Sequence, residues 1–218
     1  MPIPRVLIDS STLIPLNPRD LFLDAARTIE GSPLCRVFWS VDILAEVEEH
    51  IAKTMTRIPE SERPNAVARI MRLFRDEFPA ALVTDYERYI PQMQPADPDD
   101  RHVAAAAYRA RVDAIVTSND RHFPPTTFAV VRYKPRIWTS DDFAARLVAA
   151  SPERLHRTLE RQVEAAKRRD PDRTVVSILD GIARRLPQFT AAMRAYLRWR
   201  EENTEGGDPD AGKSSFPP

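Results

Sequence analysis

At 218 residues, with 32 basic residues balanced by 32 acidic ones, the chain is long enough to bury a full core in one domain and to carry a small appendage. Cys35 is the single cysteine, so an intrachain disulfide is excluded. With neither a basic and apolar leader nor an eighteen-residue apolar run, the expectation is a cytosolic protein without a membrane span.

Taken in chain order, Val6 to Asp9 reads as a short buried strand, and the apolar spacing of Leu21, Phe22, Ala25, Ala26 and Ile29 predicts a helix over 18–30 that Gly31 stops. Val37 to Trp39 is a second strand candidate. Ser40 then suits the N-cap of a helix to about Thr54, whose stripe is Ile43, Leu44, Val47 and Ile51. A further helix over 65–78 is followed by a third strand at Ala81 to Val83 and a proline-bearing loop over 91–98. Asp99 or Asp100 caps a helix through Ala110, Ala114 to Thr117 forms a fourth strand, and Phe128 to Val131 suggests a fifth. Such alternation, with connections long enough for crossovers, argues for an α/β fold with a mainly parallel sheet flanked by helices, whose ligands sit at the carboxyl ends of the strands.

After Ser140 the pattern changes to helical segments only, over about 141–150, 152–169 and 174–200, the last interrupted at Pro187. These form an all-helical C-terminal extension, and Leu155, Leu159, Val163, Val176, Ile178, Leu179, Ile182, Leu186, Phe189, Met193 and Leu197 require cover from the sheet domain or a partner. The neutral total charge conceals an asymmetry here: residues 151–200 carry 12 Lys or Arg against 6 Asp or Glu, and residues 201–218 carry 1 against 5. The organisation expected is therefore a first domain over 1–145, the extension over 146–200 and a disordered tail over 201–218.

The chemistry rests on carboxylates from separated parts of the chain: Asp9 at the end of the first strand, Glu46 within a helix, Asp100 at a helix start and Asp120 just past the fourth strand. Each has a plain reading, Asp100 above all as a simple N-cap, and helical periodicity does not choose between Glu46 and Glu48. Together at one sheet edge these acids would repel one another unless a divalent cation neutralised them. Mg2+ or Mn2+ suits such hard oxygen ligands, and a phosphodiester is the substrate class that follows.

The runs RVLIDSSTL, WSVDILAEVEEH, DPDDRHVAAAA and IVTSNDRHFP resemble, in order and spacing, successive motifs of PIN-domain proteins, most closely the VapC-like toxins of bacterial toxin–antitoxin pairs. That resemblance covers residues 5 to about 145, and more loosely the segments SPERLHRTLERQ and LPQFTAAM of the extension. It implies an Mg2+- or Mn2+-dependent endoribonuclease, with RNA as substrate and an antitoxin protein as partner. A homodimer is compatible with the sequence but not indicated by it. It also implies that Asp9, Glu46 and Asp100 hold the metal while Ser11 and Thr117 or Asn119 orient them; the choice of Glu46 comes from the register set by Trp39, Ser40 and Ile43. The fourth motif departs from the family pattern, which often has Asp one residue before the Phe. His122 stands there, leaving Asp120 as an alternative ligand, Asn119 as a neutral one, or His122 itself facing the phosphate.

Other readings follow from the same residues. A haloacid-dehalogenase-type phosphatase needs a second Asp at position 11, where Ser11 stands. A receiver domain needs a mid-sheet acceptor Asp that is missing, although Lys134 and Pro135 are placed for one. A zinc site built on His102 and His122 is disfavoured by their separation of twenty residues. A PIN domain that binds RNA or protein without cutting is the remaining alternative. Arg101, Arg121 and Arg132 are read as solvated arginines, the basic face of the extension as the outside of amphipathic helices, and Trp39 and Trp138 as core.

Overall fold

The computed structural model describes residues 3–28, 32–55, 59–167 and 170–205. Four parallel strands, β1 (Arg5–Ile8), β2 (Arg36–Phe38), β3 (Ala114–Thr117) and β4 (Arg136–Thr139), pair in the order β2-β1-β3-β4. Leu7 sits opposite Phe38 on one side and Ile115 on the other, and Val116 opposite Trp138. The central strands are unbroken apolar runs because both of their faces are covered: Val6, Leu7, Ile8, Ala114, Ile115 and Val116 are all fully buried.

Parallel pairing demands crossovers. α1 (Ser10–Leu13) and α2 (Leu16–Ala26) connect β1 to β2, while α3 (Val41–Thr54), α4 (Arg63–Glu77) and α5 (Arg101–Ala110) lie between β2 and β3. α3 begins where the sequence indicates, with the Ser40 hydroxyl accepting from the Ile43 amide at 3.2 Å, and it buries Ile43, Leu44, Val47 and Ile51. Because the chain leaves β1 toward β2 on one side and β3 lies on the other, the strand order reverses at β1. The crevice at the ends of β1 and β3 is the natural ligand position of such a sheet.

Two strand expectations change. Ala81 to Val83 contributes only an isolated parallel bridge, Trp39 to Leu82, after a 3-10 turn at Pro79–Ala81. Phe128 to Val131 is not a strand: Pro124 and Pro125 open a 3-10 turn through Phe128, which buries Phe128 and Val131 while leaving Val130 64 % exposed. The edge strand is instead β4, whose residues lie just past Lys134 and Pro135. Helix α2 ends at Ala26, and residues 29–31 of the longer helix expected there lie outside the described residues.

The extension consists of α6 (Ser140–Ala150), α7 (Pro152–Ala166), α8 (Val175–Ile182) and α9 (Pro187–Glu205). The expected boundary between 145 and 146 falls inside α6, and 206–218 of the expected tail lie outside the described residues. One continuous set of buried apolar side chains runs from Val6 to Tyr196. Polar anchors fix the helices on it. The buried Arg154 of α7 donates to the carbonyls of Asp24 at 3.3 Å in the last turn of α2 and of Arg27 and, at 2.7 Å, Ser32 beyond it, and Thr158 and Arg161 hold the Asp24 carboxylate. The Asp141 carboxylate accepts from the amides of Gln188 and Phe189, both at 3.0 Å, and so caps α9.

Candidate metal centre

The acidic end of the crevice is built from the strand ends outward. Asp9 follows β1, its amide bonded to the Val116 carbonyl at 3.0 Å, and only 4 % of it is exposed. One carboxylate oxygen, Oδ1, accepts from the Ser10 amide at 2.8 Å. The other, Oδ2, accepts from the hydroxyls of Ser11 at 2.6 Å and Thr117 at 2.8 Å. A carboxylate surrounded by donors is held in one orientation. The donors are themselves fixed: Ser11 Oγ accepts from the Ser118 amide and Thr117 Oγ1 from the Asn119 amide, each at 3.0 Å. A hydroxyl chain through Ser118 and Ser140 to Thr12 ties this cradle to the start of α6.

Glu46 projects from α3 toward the same edge. Its carboxylate lies 2.9 Å from Nε2 of His102 on α5 and is hydrogen-bonded to Ser10, whose hydroxyl is also 3.5 Å from Asp9 Oδ1. Glu46 rather than Glu48 therefore reaches the Asp9 cradle. Burial works against ionisation of Glu46, but the hydrogen bonds from His102 and Ser10 and the imidazolium charge outweigh it and hold the carboxyl below its ordinary range. His102 is shifted the other way. Its burial disfavours charge, yet Glu46, Asp42 and Asp9 together raise its pKa.

Asp100 precedes α5, and its Oδ2 is 2.6 Å from Nδ1 of His122. Burial, the charge of Asp9 and the charge of Asp97 push the Asp100 carboxyl up, with His122 offsetting part of the effect. Asp9 is therefore near enough to Asp100 for its charge to be felt there. Asp97 was not singled out from the sequence. Its side chain accepts from the Asp99 amide at 3.0 Å, and with Asp100 and His122 it offers three ligand atoms within 4.8 Å of one another. The DPDD run carries this signal, but it also spells an ordinary N-cap before proline.

The remaining candidates lie apart from the cradle's side chains. Asp120 is exposed at the start of the 3-10 turn Asp120–His122, and among the described residues no hydrogen bond or ion pair joins it to Asp9, Glu46 or Asp100. Asn119 is exposed and acts through its backbone, by the amide bond to Thr117. The hydroxyls of Ser11 and Thr117 touch Asp9 directly. The donor set fits a divalent cation, since carboxylates from a strand end, from α3 and from the segment before α5 lie at this edge and burial already drives one of them toward its neutral form. Among the described residues, no helix is long and apolar enough to cross a membrane.

Comparison with known proteins places this geometry. Over 95 residues the chain is 37 % identical to a protein of Mycobacterium tuberculosis (strain ATCC 25618 / H37Rv) named "Putative ribonuclease VapC50", a match covering 44 % of this chain and 54 % of that one. The match thus spans about half the length of that relative. No solved structure matches the chain. The family model described as PIN domain matches residues 5–121, from the first residue of β1 through the cradle, Glu46 and Asp100 to the 3-10 turn after β3. With more than half of its length matched, the chain belongs to the PIN-domain family.

Proposed function

We propose that this protein is a Mg2+- or Mn2+-dependent endoribonuclease and the toxin of a type II toxin–antitoxin pair, working in the cytoplasm. The observation that carries this reading is Asp9 at the reversal point of a parallel sheet, gripped by two hydroxyls, with Glu46 linked to it through Ser10 and Asp100 close enough to feel its charge. Asp9, Glu46 and Asp100 are the residues that would hold the cation, while Asp120 stays the sequence-based candidate for a fourth ligand from the neighbouring turn. When bound, the divalent cation offsets phosphodiester charge and activates the attacking water.

The protein's own groups do the rest. Ser11 and Thr117 keep the Asp9 carboxylate in one orientation, and the Asn119 amide keeps Thr117 in place. His102 holds the Glu46 carboxylate ionised, and His122 holds Asp100. An antitoxin would restrain cleavage by covering this pocket, with its helix lying along the grooves between α3 and α4. The name of the mycobacterial relative supports the ribonuclease assignment, and its place among VapC proteins supports the toxin role.

The reading is tested on a mixed pool of structured RNAs incubated with purified protein and Mg2+ or Mn2+, in parallel with chelator and with Asp100→Asn. Discrete cuts that need the metal and vanish in the variant are expected. RNA bound but uncut under every metal would instead establish a PIN domain that only binds. Induced expression in a bacterial host should arrest growth with the wild type and not with Asp100→Asn; growth unaffected by an active nuclease would remove the toxin role.

A further inference from the structure

Asp97, Asp100 and His122 form a group of different composition from the Asp9 and Glu46 side of the pocket, because it contains an imidazole nitrogen. Its ligand atoms lie within 4.8 Å of one another and all three residues are partly exposed, so a hydrated ion has access. His122 Nδ1 is 2.6 Å from Asp100 Oδ2 and 3.9 Å from Asp97 Oδ2, while the Asp97 Oδ1 atom is committed to the Asp99 amide. The backbone holds these groups together. The Ala96 amide donates to the His122 carbonyl at 2.7 Å, and the His122 amide donates to the Asn119 carbonyl at 2.9 Å. The segment before α5 is thereby stapled to the turn after β3, and the approach of the imidazole to the two acids does not depend on side-chain rotamers alone.

We propose that Asp97, Asp100 and His122 make a mixed oxygen and nitrogen cation subsite, by which this protein selects a first-row transition ion over Mg2+. The proposal rests on the metal-dependent reading above and adds the identity of the ion. Mg2+ requires near-ideal octahedral oxygen ligation and gives up its water reluctantly, whereas Mn2+ and later ions accept imidazole readily. Nδ1, the ring nitrogen that faces Asp100 and Asp97, is the atom that would ligate the ion, with Nε2 carrying the ring proton. Asp97 then supplies a second carboxylate from a position fixed by its capping bond, as is common for groups that orient metal ligands.

Full-length protein loaded with one equivalent of Mn2+ provides the test, read by nitrogen coupling in the electron spin echo and by calorimetric titration with Mn2+ and Mg2+. Nitrogen coupling is expected in the wild type and in His102→Gln, and is expected to be lost in His122→Ala. His122→Ala should weaken Mn2+ binding at least ~10-fold, and Asp97→Asn by a similar factor with the coupling retained. Mg2+ binding should fall by less than ~3-fold in His122→Ala. Coupling that persists in His122→Ala, coupling absent from the wild type, or equal weakening of both ions would overturn the subsite. RNA cleavage by the same samples separates the two claims: a wild type that shows the nitrogen coupling but cuts no RNA overturns the ribonuclease reading alone, and an active wild type without nitrogen coupling overturns the subsite alone.

Discussion

Thr117→Val isolates the hydroxyl grip on Asp9 without changing side-chain shape. Thr117 is fully buried, donates to Asp9 Oδ2 at 2.8 Å and accepts from the Asn119 amide at 3.0 Å. A hydrogen bond to a charged group contributes about 1.5–3 kcal/mol, and the exposed Asn119 can turn its amide to water at little further cost. Because Ser11 still donates to the same oxygen at 2.6 Å, the loss falls near 2 kcal/mol, which for a chain of this size lowers the melting temperature by about 4–8 °C. Ser11→Ala alone costs a similar amount. The double variant leaves Oδ2 with neither donor and should exceed the sum of the single losses by at least ~0.5 kcal/mol. Denaturant unfolding of the four proteins in chelator measures this cycle. Strict additivity, or a Thr117→Val protein as stable as the wild type, would refute the idea that the two hydroxyls act on one carboxylate oxygen.

Three further outcomes follow from the same geometry. Saturating Mg2+ or Mn2+, at about 100 times the dissociation constant, should stabilise the wild type by about 2.7 kcal/mol in a thermal-shift assay, and Asp9→Asn should abolish the shift. The folded chain holds the His102 proton above the ordinary imidazole value of 6.5, so its pair with Glu46 contributes stability in full below that value and loses it as pH rises through the raised one. At the acid end the lowered Glu46 pKa sets the limit, since protonating that carboxyl removes the partner. In chelator, His102→Gln should therefore melt below the wild type near pH 6 and converge with it toward about pH 9, and a gap that widens with pH would contradict the pairing. Arg154→Met removes a buried guanidinium from three carbonyls in and just after the last turn of α2 and should cost roughly 3 kcal/mol in denaturant unfolding, with cleavage per folded molecule unchanged.

The parallel core was legible because β1 and β3 are continuous apolar runs, a pattern that only two-sided burial explains. The edge was not. Arg136–Thr139 has only Ile137 and Trp138 as apolar residues, between Arg136 and Thr139 and directly after Lys134 and Pro135, whereas Phe128 to Val131 is more apolar but follows two prolines that commit it to a 3-10 turn. At the site, Asp9 and Asp100 stood out through their positions at a strand end and a helix start. The choice of Glu46 over Glu48 needed the family register, and the fold shows the physical difference, since only the former meets Ser10 and His102. The partnership of His122 with Asp100 joins residues 22 apart and depends on how the turn after β3 docks against the segment before α5, which no local pattern encodes. Asp97 was hidden for a related reason, because an aspartate before proline reads as a cap whether or not its second oxygen faces a site.

The central claim is that Asp9 anchors a metal-dependent RNA-cleaving centre, and the rate of RNA cleavage by Asp9→Asn measures it most directly. The amide can be accommodated, since the Ser11 and Thr117 hydroxyls can accept as well as donate, so circular dichroism should report an intact fold. With Mn2+ present, the account predicts at least a roughly thousandfold slower cleavage than the wild type, corresponding to about 4 kcal/mol of lost transition-state stabilisation. Cleavage within tenfold of the wild type by a folded Asp9→Asn protein would contradict it.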